Sequence, residues 1–240
     1  MKSKNLFVLA ALLLVGLSLG SYSTDTFAND SSTSEAKDTT AKVVFTPNTA
    51  PTHPLNPNDP NQPLASLYLT DPANSGTGNP GPLSLDYVPA LTFGPPHANG
   101  AETTVASTNK DPYLQVSDTR IHAEGWQLTV AMTKPFTARN KVTLKGISMN
   151  WQDGMLKTAV GNTNVAPNAT DITLDEDSAS AVILTAPSST GQGTWLDVFI
   201  GGSAKGKTSN NKIILTVPGG QVISKAYHSE LTWTLAGAPG

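Results

Sequence analysis

Gly125-Trp126-Gln127-Leu128-Thr129-Val130 alternates apolar and polar residues without a break. In an extended backbone, side chains at i and i+2 share a face. Trp126, Leu128 and Val130 therefore face one way, and Gln127 and Thr129 the other. Leu231-Thr232-Trp233-Thr234-Leu235 repeats this pattern near the end of the chain. A helical turn of 3.6 residues would scatter these apolar positions around its axis. Each stretch predicts a strand with one apolar and one polar face.

Working outward, the chain from about residue 83 keeps this short-strand character. Strands are expected at Leu83–Val88, Tyr113–Ser117, Trp126–Thr133, Lys141–Met149, Asp171–Leu174, Ala181–Ala186, Trp195–Ile200, Lys212–Val217 and Leu231–Leu235. Each is rich in β-branched and aromatic residues and is bounded by Gly, Pro, Asn or Asp. The 20 glycines and 18 prolines supply the turns such a fold needs. The expected fold is all-β, an antiparallel β-sandwich of Ig-like or Greek-key type. A long Pro/Gly-rich N-terminal segment precedes it. Six prolines within residues 47–63 forbid a helix there and remove ladder donors, so an extended loop is expected. A short strand at Val43–Thr46 precedes that loop.

The first residues predict export. Lys2 and Lys4 precede an apolar run, Leu6–Gly20, and Thr26-Phe27-Ala28 offers a small-residue cleavage site. The expected organisation is a signal peptide over 1–28, a disordered or extended leader over 29–82 with one or two short strands, and one folded domain over 83–240. Cleavage leaves 13 basic and 17 acidic residues, a net charge of −4. That balance argues against nucleic acid and against an anionic membrane surface, since both require basic patches. Cysteine is absent, so neither disulfides nor thiolate metal sites are available. The end of the chain carries no LPxTG-like pentapeptide and no hydrophobic tail. Attachment to a surface is therefore expected to be non-covalent.

Two Trp-x-Leu motifs in this order resemble the WxL domain of Gram-positive surface proteins. Leu85-Asp86-Tyr87-Val88-Pro89 with Phe93-Gly94, Gln115–Arg120 ahead of Trp126, and Val217-Pro218-Gly219 agree with it. The resemblance spans about residues 83–240. It implies a secreted cell-surface protein bound to the cell wall through peptidoglycan, acting in surface display or adhesion. It also implies partners: other WxL proteins, membrane-anchored WxL-interacting proteins, and host or plant matrix. The alternative is a structural subunit of a multi-protein surface complex that binds such a partner rather than glycan.

The motif residues Trp126, Leu128, Trp233 and Leu235 have two readings, core packing or direct contact with the wall. Other candidates for exposed contacts follow from alternation. In Thr194–Ile200, Leu196, Val198 and Ile200 form the obvious core face. Trp195 and Phe199 then lie opposite, either exposed or under a second layer. Trp151 precedes the turn-forming Asp153-Gly154 and is expected at a loop tip. Tyr87 is a further aromatic candidate. Asp118 and Arg120 share a strand face, as a local pair or as a site for a carboxylate or phosphate.

Catalysis is not expected. His53, His97, His122 and His228 sit in no metal-binding spacing, and Gly202-Ser203-Ala204-Lys205-Gly206 lacks the nucleophile-elbow pattern. A carboxylate pair for glycan hydrolysis is left open, because sequence spacing does not report spatial spacing. The four acids in Asp171–Asp177 lack calcium-loop order, so a solvated acidic loop is expected and no metal or cofactor.

Overall fold

The structure, a computed structural model, describes residues 42–44, 46–65, 74–95, 100–201, 210–221 and 226–237. The expected export signal, the polar leader over 29–40, His97 and Gly202–Gly206 lie outside these residues. The described residues contain no helix. In chain order the strands are β1 (Leu55–Asn56), β2 (Asp59–Pro63), β3 (Leu83–Tyr87), β4 (Thr103–Ser107), β5 (Tyr113–Asp118), β6 (Trp126–Ala138) and β7 (Ser148–Trp151). They continue with β8 (Met155–Thr158), β9 (Asn168–Ala169), β10 (Ile172–Asp175), β11 (Ala181–Ala186), β12 (Gly193–Val198), β13 (Asn210–Val217) and β14 (Tyr227–Gly237).

These strands form three four-stranded antiparallel sheets, ordered β14-β6-β11-β9, β10-β7-β13-β4 and β3-β5-β12-β8, and one hairpin, β1-β2. The all-β architecture is as the sequence predicts. Its layers close on one apolar core. Trp126, Leu128 and Val130 come from the first sheet, Met149, Trp151, Ile213 and Leu215 from the second, and Leu85, Leu114 and Val116 from the third.

The central strands of the third sheet, β5 and β12, are covered on both faces, which the sequence pattern alone did not show. The sheet's outer face carries a small second core of Tyr87, Tyr113, Leu196 and Val198. Leu55 and Leu64 of the proline-rich segment pack over it. All six positions of β5 are consequently buried. Tyr87 and Tyr113 stack there with centroids 4.2 Å apart. Burial, with smaller contributions from Tyr87 and Asp86, pushes the Tyr113 phenol above its usual range.

Gln115 ties the N-terminal segment to this sheet. Gln115 Oε1 accepts from the Leu55 amide at 2.7 Å, and its Nε2 donates to the His53 carbonyl at 3.2 Å. The same Nε2 donates to Asp86 Oδ2 at 3.0 Å. A bulge between Leu85 and Tyr87 makes Asp86 the extra residue of β3. Ser84 and Ser117 hydroxyls each donate to its carboxylate at 2.6 Å. Burial raises the Asp86 pKa, and these three donors oppose the rise. A buried carboxylate persists only with such partners. The proline-rich stretch thus closes over the sheet instead of running free.

Several element expectations need correction. Lys141–Met149 is not one strand, because Lys141 and Gly146 adopt positive φ and bend the chain; the strand there is Ser148–Trp151. Thr103–Ser107 and Met155–Thr158 were missed, being half-polar and only partly buried. At the expected Val43–Thr46 strand, residues 43, 44 and 46 show none.

Candidate functional site

The two Trp-x-Leu segments lie side by side. β14 pairs antiparallel with β6, placing Leu235 opposite Leu128, Trp233 opposite Val130 and Gly237 opposite Trp126. Period-two geometry then sends all the motif apolar side chains inward and the central Gln127 and Thr234 outward.

The entry to β6 is held by a charged clamp. Arg120 donates to both carboxylate oxygens of Asp118, from Nε at 2.9 Å and Nη2 at 2.8 Å. It also reaches Glu124 Oε2 at 3.0 Å and the Gly125 carbonyl at 2.7 Å. Gln192 Nε2 donates to the Arg120 carbonyl at 2.9 Å. A bidentate pair of this kind fixes geometry. Asp118 is buried, and the guanidinium spends its donors inside the protein. Of the two readings of Asp118 and Arg120, the structure has the local pair, a clamp that aims Trp126, and not an exposed contact.

Trp126 is fully buried, and its indole N–H donates to the Gly191 carbonyl at 3.2 Å. Gly191 has φ +73°, and a Cβ there would come within 2.5 Å of Ala186 Cβ and 2.8 Å of Trp126 Nε1. Gly191→Ala combines left-handed strain with overpacking, so a loss of about 2–4 kcal/mol in urea unfolding is expected. Full retention of the wild-type midpoint would contradict this packing.

The other aromatic candidates are not surface contacts. Trp151 is the last residue of β7 and wholly buried, not at a loop tip. It meets Phe199 edge-on at 5.1 Å and Trp233 edge-on at 5.6 Å. Trp195 is buried, with its N–H donating to the Gln192 carbonyl at 2.9 Å. Phe199 belongs to the main core, and Tyr87 to the second core. Of the two alternatives for the Trp195 and Phe199 face, the covered one holds, because both faces of β12 are packed. Leu128 is fully buried and Leu235 half-buried.

Trp233 differs from the other three indoles in being half-buried. It lines an apolar cleft of about 880 Å³ between β14, the 88–95 segment and β13. Sequence reasoning missed this cleft, because Leu91, Phe93, Phe136, Leu215 and Trp233 come from distant segments.

The outward face of the motif strands is uncharged over most of its length. Gln127, Thr129 and Thr133 of β6 stand beside Thr232 and Thr234 of β14. Thr133 and Thr232 hydroxyls lie 2.9 Å apart, and Thr129 Oγ1 donates to the Thr234 carbonyl at 3.4 Å.

The acids of Asp171–Asp177 separate in space. Asp171 accepts from the Asp153 amide at 2.8 Å, whereas Glu176 accepts from the Gly146 amide at 3.0 Å and pairs with Lys145. Those contacts hold the Glu176 pKa low, the Gly146 amide foremost. Among the described residues, no three metal-ligating side chains converge. Asp197 is buried on β12, and its Oδ1 has no hydrogen-bond partner. Burial, then the charge of Asp171, pushes its pKa up to about 7.

Comparison with curated proteins and with solved structures found no match. The family model for the WxL domain, described as surface cell wall-binding, matches residues 32–239. The match therefore extends into the leader and includes the docked proline-rich hairpin. The protein belongs to the WxL-domain family and is a surface protein that binds the cell wall.

Proposed function

We propose that the protein is a secreted, non-catalytic wall-binding module of a Gram-positive-type cell. It is held non-covalently and displays or helps assemble adhesive surface complexes. Its contact with peptidoglycan is the outward face of the two motif strands. The observation that carries this reading is the composition of that face: Gln127, Thr129, Thr133, Thr232 and Thr234 present hydroxyl and amide groups on a paired, rigid two-strand surface. Uncharged donors and acceptors on a fixed surface suit a polar glycan–peptide polymer. The inward Trp and Leu residues act as scaffold, setting the pitch of this row.

The test is sedimentation of the exported chain, residues 29–240, with washed cell walls. Thr232→Glu combined with Thr234→Glu is expected to remove it from the pellet, with an unchanged melting temperature. A double variant that still sediments like the parent would overturn the assignment of this face. Release of reducing sugar from purified wall by the parent would overturn its non-catalytic character.

The second reading is a subunit of a multi-protein surface complex, recruited by a partner protein. It is favoured by one feature: β14 ends its sheet beside the apolar cleft, and no strand among the described residues pairs with its second edge.

A further inference from the structure

We propose that β14 and its cleft form an acceptor site for an extended segment of another protein, which adds as a further strand and lowers alternate apolar side chains into the cleft. This deepens the complex-forming reading above and rests on it.

Three observations carry the proposal. First, β14 is the terminal strand of its sheet, and no strand among the described residues pairs with its second edge. A row of unpaired amides and carbonyls is a template for strand addition. Natural edges are blunted by Lys, Pro or bulges. Leu231–Gly237 contains no charged residue and no proline, and its bulges lie earlier, around Glu230.

Second, burial across the pair is asymmetric. On β6, Trp126, Leu128, Val130 and Met132 are buried to below a tenth of their surface. On β14, the equivalent inward residues Leu231, Trp233 and Leu235 remain half-buried. Both rows belong to the same core. The difference is what a sheet shows when the next strand is not in place.

Third, the space beside that edge is large and apolar, about 880 Å³ lined by Leu91, Phe93, Phe136, Leu215, Leu231 and Trp233 among others. That is far more than one water and comparable to a ligand pocket. The occupant must fill it with side chains that have no core of their own. A second copy's β14 does not qualify, because its Trp233 already packs on its own Trp151 at 5.6 Å. The leader residues Asn29–Thr40 do not qualify either, being almost wholly polar. The fitting partner is an otherwise unstructured stretch with large uncharged apolar side chains at every second position and small polar ones between.

A peptide with this chemistry is available as a probe: Ser229–Gly237 of this chain, which carries Leu231, Trp233 and Leu235 without a fold around them. The measurement is amide hydrogen exchange of β14 in the exported chain, with peptide added. Exchange at Leu231–Gly237 is expected to slow by about tenfold or more, as pairing of an open edge protects its amides. The same peptide with all three apolar residues replaced by Ser should have no effect. Ala226→Trp, at an exposed position lining the cleft, and Leu91→Glu, inside it, should each weaken the peptide by about tenfold or more. Two such variants guard against one failing to fold.

Unchanged exchange, or equal protection by the serine peptide, would overturn the proposal. So would laurate binding in place of the peptide, which would make the cleft an acyl-chain site. Self-association of the chain that Ala226→Trp abolishes would also overturn it, by making the occupant a second copy. Sedimentation with walls is read on the same preparations. A chain that pellets with wall but ignores the peptide loses only this inference. One that binds the peptide but never pellets loses the wall-binding face.

Discussion

Trp126→Ala is expected to lower the stability of the chain over residues 29–240 by about 3–5 kcal/mol, the range for truncating a wholly buried large aromatic. The indole sits at the meeting point of three constraints. Its strand is aimed by the Arg120–Asp118 clamp and pairs through Leu128 with Leu235 of β14. Its N–H satisfies the Gly191 carbonyl. Truncation opens a cavity that the positive-φ Gly191 is poorly placed to fill, because a side chain there would meet the Ala186 Cβ. In urea titrations this should appear as a lower midpoint with an unchanged slope, and in thermal melts as a drop on the order of 10 °C. Trp126→Phe separates the two contributions. It keeps most of the apolar burial but leaves the carbonyl unpaired, at about 1–3 kcal/mol. Trp233→Ala should cost less than Trp126→Ala, because its ring is already partly in solvent and loses mainly the edge contact with Trp151. Equal costs for the two tryptophans would show that the half-exposed position is closed in solution.

How much of this was legible in the sequence depends on whether a contact is local. Alternation in Gly125–Val130 and Leu231–Leu235 gave both strands and their inward residues, because a strand's face depends only on its own period. It did not give the burial of β12. Leu196 and Val198 were rightly seen as opposite to Trp195 and Phe199. Which side was covered depended on a hairpin contributed by Leu55 and Leu64, far away in the chain. A run of prolines signalled the absence of helix correctly but concealed docking, because its polar contacts with Gln115 are made by the backbone of Leu55 and His53, which carries no side-chain signal. Asp118 and Arg120 were legible as a pair from their spacing. The closure of that pair on Glu124 and Gly125 came only from the turn before Trp126. The cleft beside Trp233 had no sequence signal, since its walls come from segments that no short window contains.

The second large effect is expected at Asp197, and its sign is opposite to ordinary acid denaturation. This carboxyl lies under the Asp153-Gly154 turn, so close that a Cβ on Gly154 would collide with it. Burial and the nearby Asp171 hold its pKa near 7 in the native state. In the unfolded chain an aspartate releases its proton near pH 4. Between those two values the folded form retains a proton that the unfolded form gives up. Stability from this group is therefore fully present below about pH 4 and declines as pH rises through 7. The span corresponds to roughly 4 kcal/mol, with the order of magnitude set by about 1.4 kcal/mol per pH unit. Urea midpoints of residues 29–240 should therefore climb as buffer is taken from pH 8 to pH 5. Asp197→Asn removes the ionisation while keeping the shape. It should flatten that climb and stabilise the protein at pH 8, with little change near pH 4. A wild-type midpoint that falls steadily from pH 8 to pH 5, and falls equally in the Asn variant, would mean that Asp197 is solvated in the native protein and that the seal around β12 is open.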